Sequence, residues 1–187
     1  MVRWEPDARG RLAQAAIELY VERGFEQTTV ADIAERAGLT ERTFFRHYAD
    51  KREVLFTGQE EFERMFVTGV ESAPDSAAPL DALAAALHSV AEQFQPRRPW
   101  SLVRQGVIAA NPGLQERESL KMTGLVEALA ETLRGRGVTE PTASLTAQAG
   151  VAVFHVSFQR WIAPDNTRDF TDVIDEALAA LRAVAAA

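Results

Sequence analysis

Thr29-Val30-Ala31-Asp32-Ile33-Ala34-Glu35-Arg36-Ala37-Gly38-Leu39-Thr40-Glu41-Arg42-Thr43-Phe44-Phe45-Arg46-His47 is the stretch on which the reading of this chain turns. A hydroxyl at Thr29 with a carboxylate three residues on is a capping-box variant. It opens a helix whose apolar residues Ile33, Ala34 and Ala37 point inward. Gly38 ends that helix, Leu39 is a buried link, and Thr40 can cap a further helix whose first residue, Glu41, suits the positive end of the helix dipole. Two short helices joined by a glycine turn, the second carrying Arg42, Thr43, Arg46 and His47, make a helix-turn-helix by spacing. The mechanism of such a motif requires a bracing helix, a rigid turn, and a second helix that enters a major groove with polar residues near its start. The same spacing also fits an αα-hairpin with a solvated basic face.

Outward from this stretch the pattern stays helical, with apolar residues recurring at three and four rather than alternating. A helix is predicted from about Asp7 to Arg23 with Leu12, Ala15, Ala16 and Leu19 on its stripe; Gly24 ends it, and Phe25 can fold back onto Tyr20 in a Schellman closure. Asp50-Lys51-Arg52-Glu53 offers a cap for a longer helix in which Gly58, Phe62, Met65 and Gly69 recur at helical spacing. Ser72 to Pro79 reads as a loop, and further helices are predicted at about 80–95, 100–110, 114–136, 141–163 and 169–185. The expected fold is all-α with about nine helices, divided into a domain over residues 1–56 and a second over 57–187.

Composition narrows the classes. At 187 residues with 47% apolar and 25% charged residues, the chain can bury a core of ordinary size. With no cysteine there is no disulfide, thiolate nucleophile or zinc–thiolate site, and the first residues contain no apolar run of a secretory leader, so a cytoplasmic location is expected. The net charge of −7 is uneven: residues 1–55 carry nine Lys/Arg against ten Asp/Glu, and the remainder eleven against seventeen. Within 36–52, however, Arg36, Arg42, Arg46, Lys51 and Arg52 face only Glu41 and Asp50, a local excess of three positive charges suited to phosphate. Residues 141–159 contain no charge over nineteen positions, which raises a membrane span, but seven of them are Thr, Ser, Gln or His. A helix buried on more than one face is the better reading, and no membrane partner is expected.

Ala15-Ala16-Ile17-Glu18-Leu19-Tyr20, Arg23-Gly24-Phe25, Thr28 through Thr40, and Thr43 through Lys51 together resemble the DNA-binding domain of the tetracycline-repressor (TetR) family of transcriptional regulators. The resemblance covers about residues 7–56. The Arg42-Thr43-Phe44-Phe45-Arg46 run is also similar to regulators of mycofactocin systems, although five residues leave the subfamily open. The resemblance implies phosphate contacts by Thr29 and Lys51, and a recognition helix bearing Thr40, Glu41, Arg42, Thr43, Arg46 and His47, with Tyr48 adding a phosphate contact. Arg42 suits a bidentate guanine contact and Thr43 a thymine methyl or a phosphate. The chain departs from the family at Phe45, where Tyr is usual: a ring without a hydroxyl presses on sugar or a thymine methyl but cannot hydrogen-bond phosphate. Leu39 and Phe44 belong to the core.

In the second domain, aromatic and polar residues dispersed along the helices make His88, Phe94, Trp100, Arg104, Phe154, His155, Phe158 and Trp161 the candidate effector site; the alternatives are core packing for the aromatics, a hydrogen-bonded core or interface imidazole for the histidines, and a snorkelling surface side chain for Arg104. Arg104 has mostly apolar company at three and four residues, so on an inward face it needs an anion from protein or ligand. Ala143, Ala147, Gly150, Phe154, Ser157 and Trp161 form one stripe, and Phe170, Ile174, Ala177, Leu181 and Val184 another. A four-helix bundle between two subunits is expected from them. Its interface would comprise Ala143, Ala147, Gly150, Phe154, Ser157, Ile174, Ala177 and Leu181, and a twofold dimer would hold two recognition helices about 34–36 Å apart over a palindromic operator.

These readings lead to a ligand-responsive, sequence-specific DNA-binding regulator, expected to be a repressor released by a small, largely apolar effector, without cofactor or metal. An enzyme is not expected. The histidines at 47, 88 and 155 lack metal-ligand spacing, no Gly-x-Ser-x-Gly elbow occurs, and Gly135-x-Gly137 meets Glu140 where a dinucleotide fingerprint needs glycine. The remaining alternative is a helical protein-interaction adaptor that has lost specific DNA binding.

Overall fold

The computed structural model describes residues 7–186, which form nine α-helices and two short 3-10 helices with no strand among the described residues. The helices are α1 (Ala8–Arg23), α2 (Val30–Arg36), α3 (Glu41–His47), α4 (Gln59–Glu71), α5 (Pro79–Phe94), α6 (Arg98–Ala109), α7 (Pro112–Gly135), α8 (Thr142–Ile162) and α9 (Phe170–Ala185). The chain divides into two compact units. One comprises residues 7–57 with Val103–Glu118, the other Gly58–Leu102 with residues 119–186. By sequence alone, everything after residue 56 is expected in the second domain. Val107, Ile108 and Leu114 instead pack in the first unit's core beside Leu12, Leu19, Ile33, Phe44 and Leu55.

In the first unit the turns follow the chemistry of their residues. Thr29 Oγ1 accepts from the Asp32 amide at 3.1 Å while the Thr29 amide donates to Asp32 Oδ2 at 2.8 Å, a reciprocal box that starts α2. Gly38, at φ 65°, closes α2 in a Schellman motif: the Leu39 amide reaches the Ala34 carbonyl at 2.8 Å and the Gly38 amide that of Glu35 at 2.9 Å. Gly24 also has a positive φ, but its ψ of 156° extends the chain. The Tyr20–Phe25 contact forms, with ring centroids 5.1 Å apart, without the Schellman turn predicted for it. The Asp50 cap also differs from expectation. Its carboxylate accepts from the Arg52 and Glu53 amides and starts only the 3-10 helix Glu53–Phe56, because Gly58 at φ 85° breaks the path before α4.

In the second unit, α5 is the central helix, packing against α4, α8 and α9. Gly69 admits close passage of α4 over α5, since a Cβ there would lie 2.7 Å from Ala86 Cα. Gly150 does the same for α8, where a Cβ would lie 2.7 Å from Leu83 Cγ. The buried core contains Leu83, Leu87, Val90, Leu125, Leu129, Phe154, Trp161 and Phe170. No helix of the described residues is long and apolar enough to cross a membrane, and the charge-free run of 141–159 forms the N-cap and most of the core helix α8.

Candidate DNA-binding surface and sensor helices

The recognition helix α3 is held from beneath. Phe44 is fully buried, its ring 5.5 Å from Tyr48, and Thr40 Oγ1 accepts from the Thr43 amide at 3.2 Å. The two threonine hydroxyls lie 3.0 Å apart. Its outer face carries Glu41, Arg42, Phe45 and Arg46, all exposed, with Thr43 and His47 half-buried. Arg42 makes no hydrogen bond or ion pair within the described residues, whereas Arg46 Nη2 lies 3.5 Å from His47 Nε2. Phe45 is 56% exposed, a large ring on the same short helix as the exposed Arg42 and Arg46. Leaving such a ring in water disfavours the free surface, and a groove edge with a thymine methyl or sugar relieves it.

Two of the residues expected to contact DNA are used elsewhere. The Lys51 ammonium donates to the carbonyls of Phe25 at 2.8 Å, Thr28 at 3.0 Å and Glu26 at 3.3 Å, and lies 4.4 Å from the Phe25 ring centre. All three of its donors are engaged, so Lys51 fastens the turn ahead of Thr29. Tyr48 is 4% exposed; its hydroxyl donates to the Arg9 carbonyl at 3.0 Å and accepts from Thr57 Oγ1, so it too is a core residue. Arg36 is paired as well, bidentate to Glu22 at 2.9 and 2.7 Å. The local positive excess read from the sequence therefore reduces to Arg42, Arg46 and Arg52 at the surface.

Interior polar groups of this unit are matched. Tyr20 donates to the Lys51 carbonyl at 2.6 Å, and burial raises its phenol above the ordinary range. Thr28 donates to the Gly24 carbonyl at 2.9 Å. Arg104, expected at the effector site, belongs to this unit: Nε donates to the Leu55 carbonyl at 2.7 Å, Nη1 to Glu118 at 2.9 Å, and the guanidinium lies over the Phe56 ring at 5.2 Å. Its anion is a protein carboxylate, so it is not left to find a ligand. Burial pulls its pKa down while Glu118 opposes the change.

The other candidate effector residues separate into two groups. Phe94, Phe154, Phe158 and Trp161 come together in the second unit, joined by Phe62, Phe66 and Phe170, none of which is among the residues expected at the effector site. Phe154 is central, 5.2 Å from Phe62, 5.7 Å from Phe158 and 6.0 Å from Phe170, and Trp161 stacks on Phe170 at 4.5 Å. His155, by contrast, is exposed on α8, Trp100 is exposed on α6, and His88 Nε2 lies 2.7 Å from Asp175 Oδ1 at the α5–α9 surface. These three stand outside the ring cluster. An open groove of about 510 Å³ along α4 and α5, lined by residues such as Arg64, Thr68 and Gln93, contains none of the candidate effector residues.

The predicted dimer stripe is likewise internal. Ala143, Ala147, Gly150, Phe154, Ser157, Ile174 and Ala177 are buried within the protomer, and Leu181 is half-buried. The Gly150 contact with Leu83 shows why: the small-residue stripe lets α8 approach α5. The face of α8 left outside carries Leu145, Ala149, Ala152 and Val156 at helical spacing, with Leu145 64% and Val156 50% exposed. Because both faces are apolar, the sequence shows no contrast between them.

Comparison with known proteins gives two matches along the chain. Residues 12–57 match the family described as bacterial regulatory proteins, tetR family, and residues 77–186 match the MftR C-terminal domain. The regulator TcmR of Streptomyces glaucescens is 39% identical over 82 residues, which span 44% of this chain and 36% of TcmR. A Mycobacterium tuberculosis protein assigned as the mycofactocin biosynthesis transcriptional regulator MftR is 29% identical over 173 residues, covering 90% of this chain and 84% of that one. Among solved structures, Thermus thermophilus FadR, a TetR-family transcriptional repressor in complex with lauroyl-CoA, is 26% identical over 93% of each chain with a TM-score of 0.60. With a helix-turn-helix at one end and a matching helical domain at the other, the chain belongs to the TetR family of bacterial transcriptional regulators and is not an enzyme.

Proposed function

We propose that the protein is a cytoplasmic homodimer that represses transcription from a palindromic operator and is released by a small, largely apolar effector. The observation that carries this reading is the outer face of α3, where Arg42, Phe45 and Arg46 stand exposed on a helix start that Thr40 holds by hydrogen bonds. Thr29, Thr40, Glu41, Thr43 and His47 complete the DNA-facing set. Dimerisation is supported by the unpartnered α8 face of Leu145, Ala149, Ala152 and Val156, which replaces the inward stripe as the proposed interface. An apolar effector is supported by the ring cluster around Phe154 and by the lauroyl-CoA held by the FadR relative. To act, the effector must bind the DNA-competent and released states with different affinity.

Selection from a random duplex pool at moderate salt, followed by titration of the enriched site, tests this reading. One palindrome should be enriched. Arg42→Ala should weaken binding to that site by about 1–3 kcal/mol while leaving binding to unrelated sequence nearly unchanged. If nothing is enriched by folded, ligand-free protein, the adaptor reading takes its place.

A further inference from the structure

Among the described residues every Phe, Tyr and Trp ring is buried or half-buried except two, Phe45 at 56% exposed and Trp100 at 37%. Phe45 is the one that lies on the recognition helix. Its ring meets the Phe44 ring edge to face, with centroids 5.5 Å apart and planes at 83°. Phe44 and Tyr48 belong to the buried core of the first unit and Phe45 does not. The ring is therefore braced by the core without being part of it, and it stays open to solvent.

The exposed side chains of α3 are Glu41, Arg42, Phe45 and Arg46, and all but Phe45 carry charge. At 3.6 residues per turn these four occupy one arc of the helix, with Phe45 between Glu41 and Arg42 and one turn further along. Thr43 also brings a methyl group to this helix, but it is half-buried and its hydroxyl lies 3.0 Å from that of Thr40. The apolar surface that the arc offers to DNA is thus the Phe45 ring.

A phenyl ring has no polar atom with which to meet a phosphate oxygen or the donors and acceptors of a base edge. In the major groove the apolar group that distinguishes one base from another is the C5-methyl of thymine. We infer that Phe45 is a specificity-determining residue whose ring packs on the C5-methyl group of a pyrimidine, selecting thymine within two base steps of the guanine suited to Arg42. Residues three apart on a helix have Cβ atoms about 5–6 Å apart, and successive bases of one strand rise by about 3.4 Å, which sets that interval. This rests on the DNA-reading function proposed above and names a group that it reads. Because the ring senses the methyl and not the polar edge of the base, 5-methylcytosine supplies the same contact on a G·C pair. Methylation of a cytosine at that position therefore strengthens binding.

The test uses the full chain and the duplex enriched by the random-pool selection, with each thymine replaced in turn by deoxyuridine. That exchange removes the methyl and leaves base pairing intact. A thymine within two steps of a guanine should respond, its replacement weakening binding roughly fourfold, the effect of one methyl-sized group withdrawn from apolar contact. Phe45→Ala should bind the thymine and deoxyuridine duplexes equally, with an unchanged melting temperature because the ring stands outside the core. With a C·G pair placed at that position, 5-methylcytosine should bind the parent protein roughly fourfold more tightly than cytosine, and Phe45→Ala should not distinguish them. The deoxyuridine series needs no variant, so it decides the matter even if Phe45→Ala does not fold. An enriched site insensitive to every deoxyuridine replacement, or a methyl effect that survives Phe45→Ala, overturns the proposal and leaves the regulator reading in place. Failure of the pool to enrich any sequence removes both.

Discussion

The two units use the same secondary structure and treat their buried polar groups in opposite ways. In the first, the hydroxyls of Tyr20, Tyr48 and Thr28, the ammonium of Lys51 and the guanidinium of Arg104 all meet oxygen partners. In the second, Trp161, Ser101 and Gln59 each keep an unmatched polar atom. A unit that reads DNA must present α3 in one geometry, and saturated internal hydrogen bonds enforce one geometry. Under the proposed function, a unit that responds to a small molecule must bind it differently in two states, since only differential binding can move an equilibrium. The contrast also bears on assignment, because charge near a recognition helix is not the same as charge available to DNA.

The strongest way to break this contrast is at Arg104. Arg104→Ala leaves Glu118 half-buried without its cation and the Leu55 carbonyl without its donor. A loss of about 3 kcal/mol in unfolding free energy is expected by urea titration, with much of it restored by replacing both partners with apolar residues of similar size. An unchanged stability would show that the first unit does not depend on its internal matching.

Lys51 sharpens the comparison at a residue for which two roles compete. If its ammonium fastens the turn of Phe25, Glu26 and Thr28, Lys51→Met should lower stability by about 2 kcal/mol, because hydrogen bonds from a charged donor exceed neutral ones. The salt dependence of non-specific DNA binding should then stay the same. A phosphate role predicts the reverse, a shallower salt slope at unchanged stability.

The smallest effect concerns Asp32. Hydrogen bonds from the Thr29 hydroxyl and amide hold its carboxyl below the ordinary 3.8, with Arg23 adding to the shift. A depressed folded value means that the contribution is complete above the unfolded carboxyl's range and disappears as pH falls through the folded value. Unfolding measured between neutral and strongly acidic pH should show this acid-side loss, and Asp32→Asn should remove that part of the slope. Thr29→Ala, which takes away the reciprocal cap, should destabilise by about 1 kcal/mol at neutral pH.

Much of the architecture was legible locally. Thr29, Gly38 and Thr40 announced the boundaries of α2 and α3 because a cap and a left-handed glycine act within a few residues of chain. Pro79, Pro112 and the breaks near 136 and 164 marked later helices for the same reason. Local rules misled where two signals competed: Asp50 capped a 3-10 turn because Gly58 interrupts the path to α4. At the candidate sites, residue types were readable and partners were not. The apolar company of Arg104 leaves an inward face with an anion and an outward snorkelling side chain both open, and that it turns inward onto Glu118 depends on the folding of α6 against α7. The α8 stripe of Ala143, Ala147 and Gly150 was visible as a close-approach surface, yet which helix approaches it is set by α5 through Leu83.

The sequence by itself determined the helical class, the helix-turn-helix and the residues offered on its recognition helix, because caps, turns and a 3.6-residue period are properties of neighbouring residues. The tertiary structure alone decided which charges remain free and which face of α8 turns outward. It also decided where the aromatic rings of α4, α5, α8 and α9 meet and which buried donors stay unmatched. Those outcomes join residues up to about a hundred positions apart, as in the ion pair of Arg182 with Asp81, and pairing across such separations is written in packing rather than in local pattern.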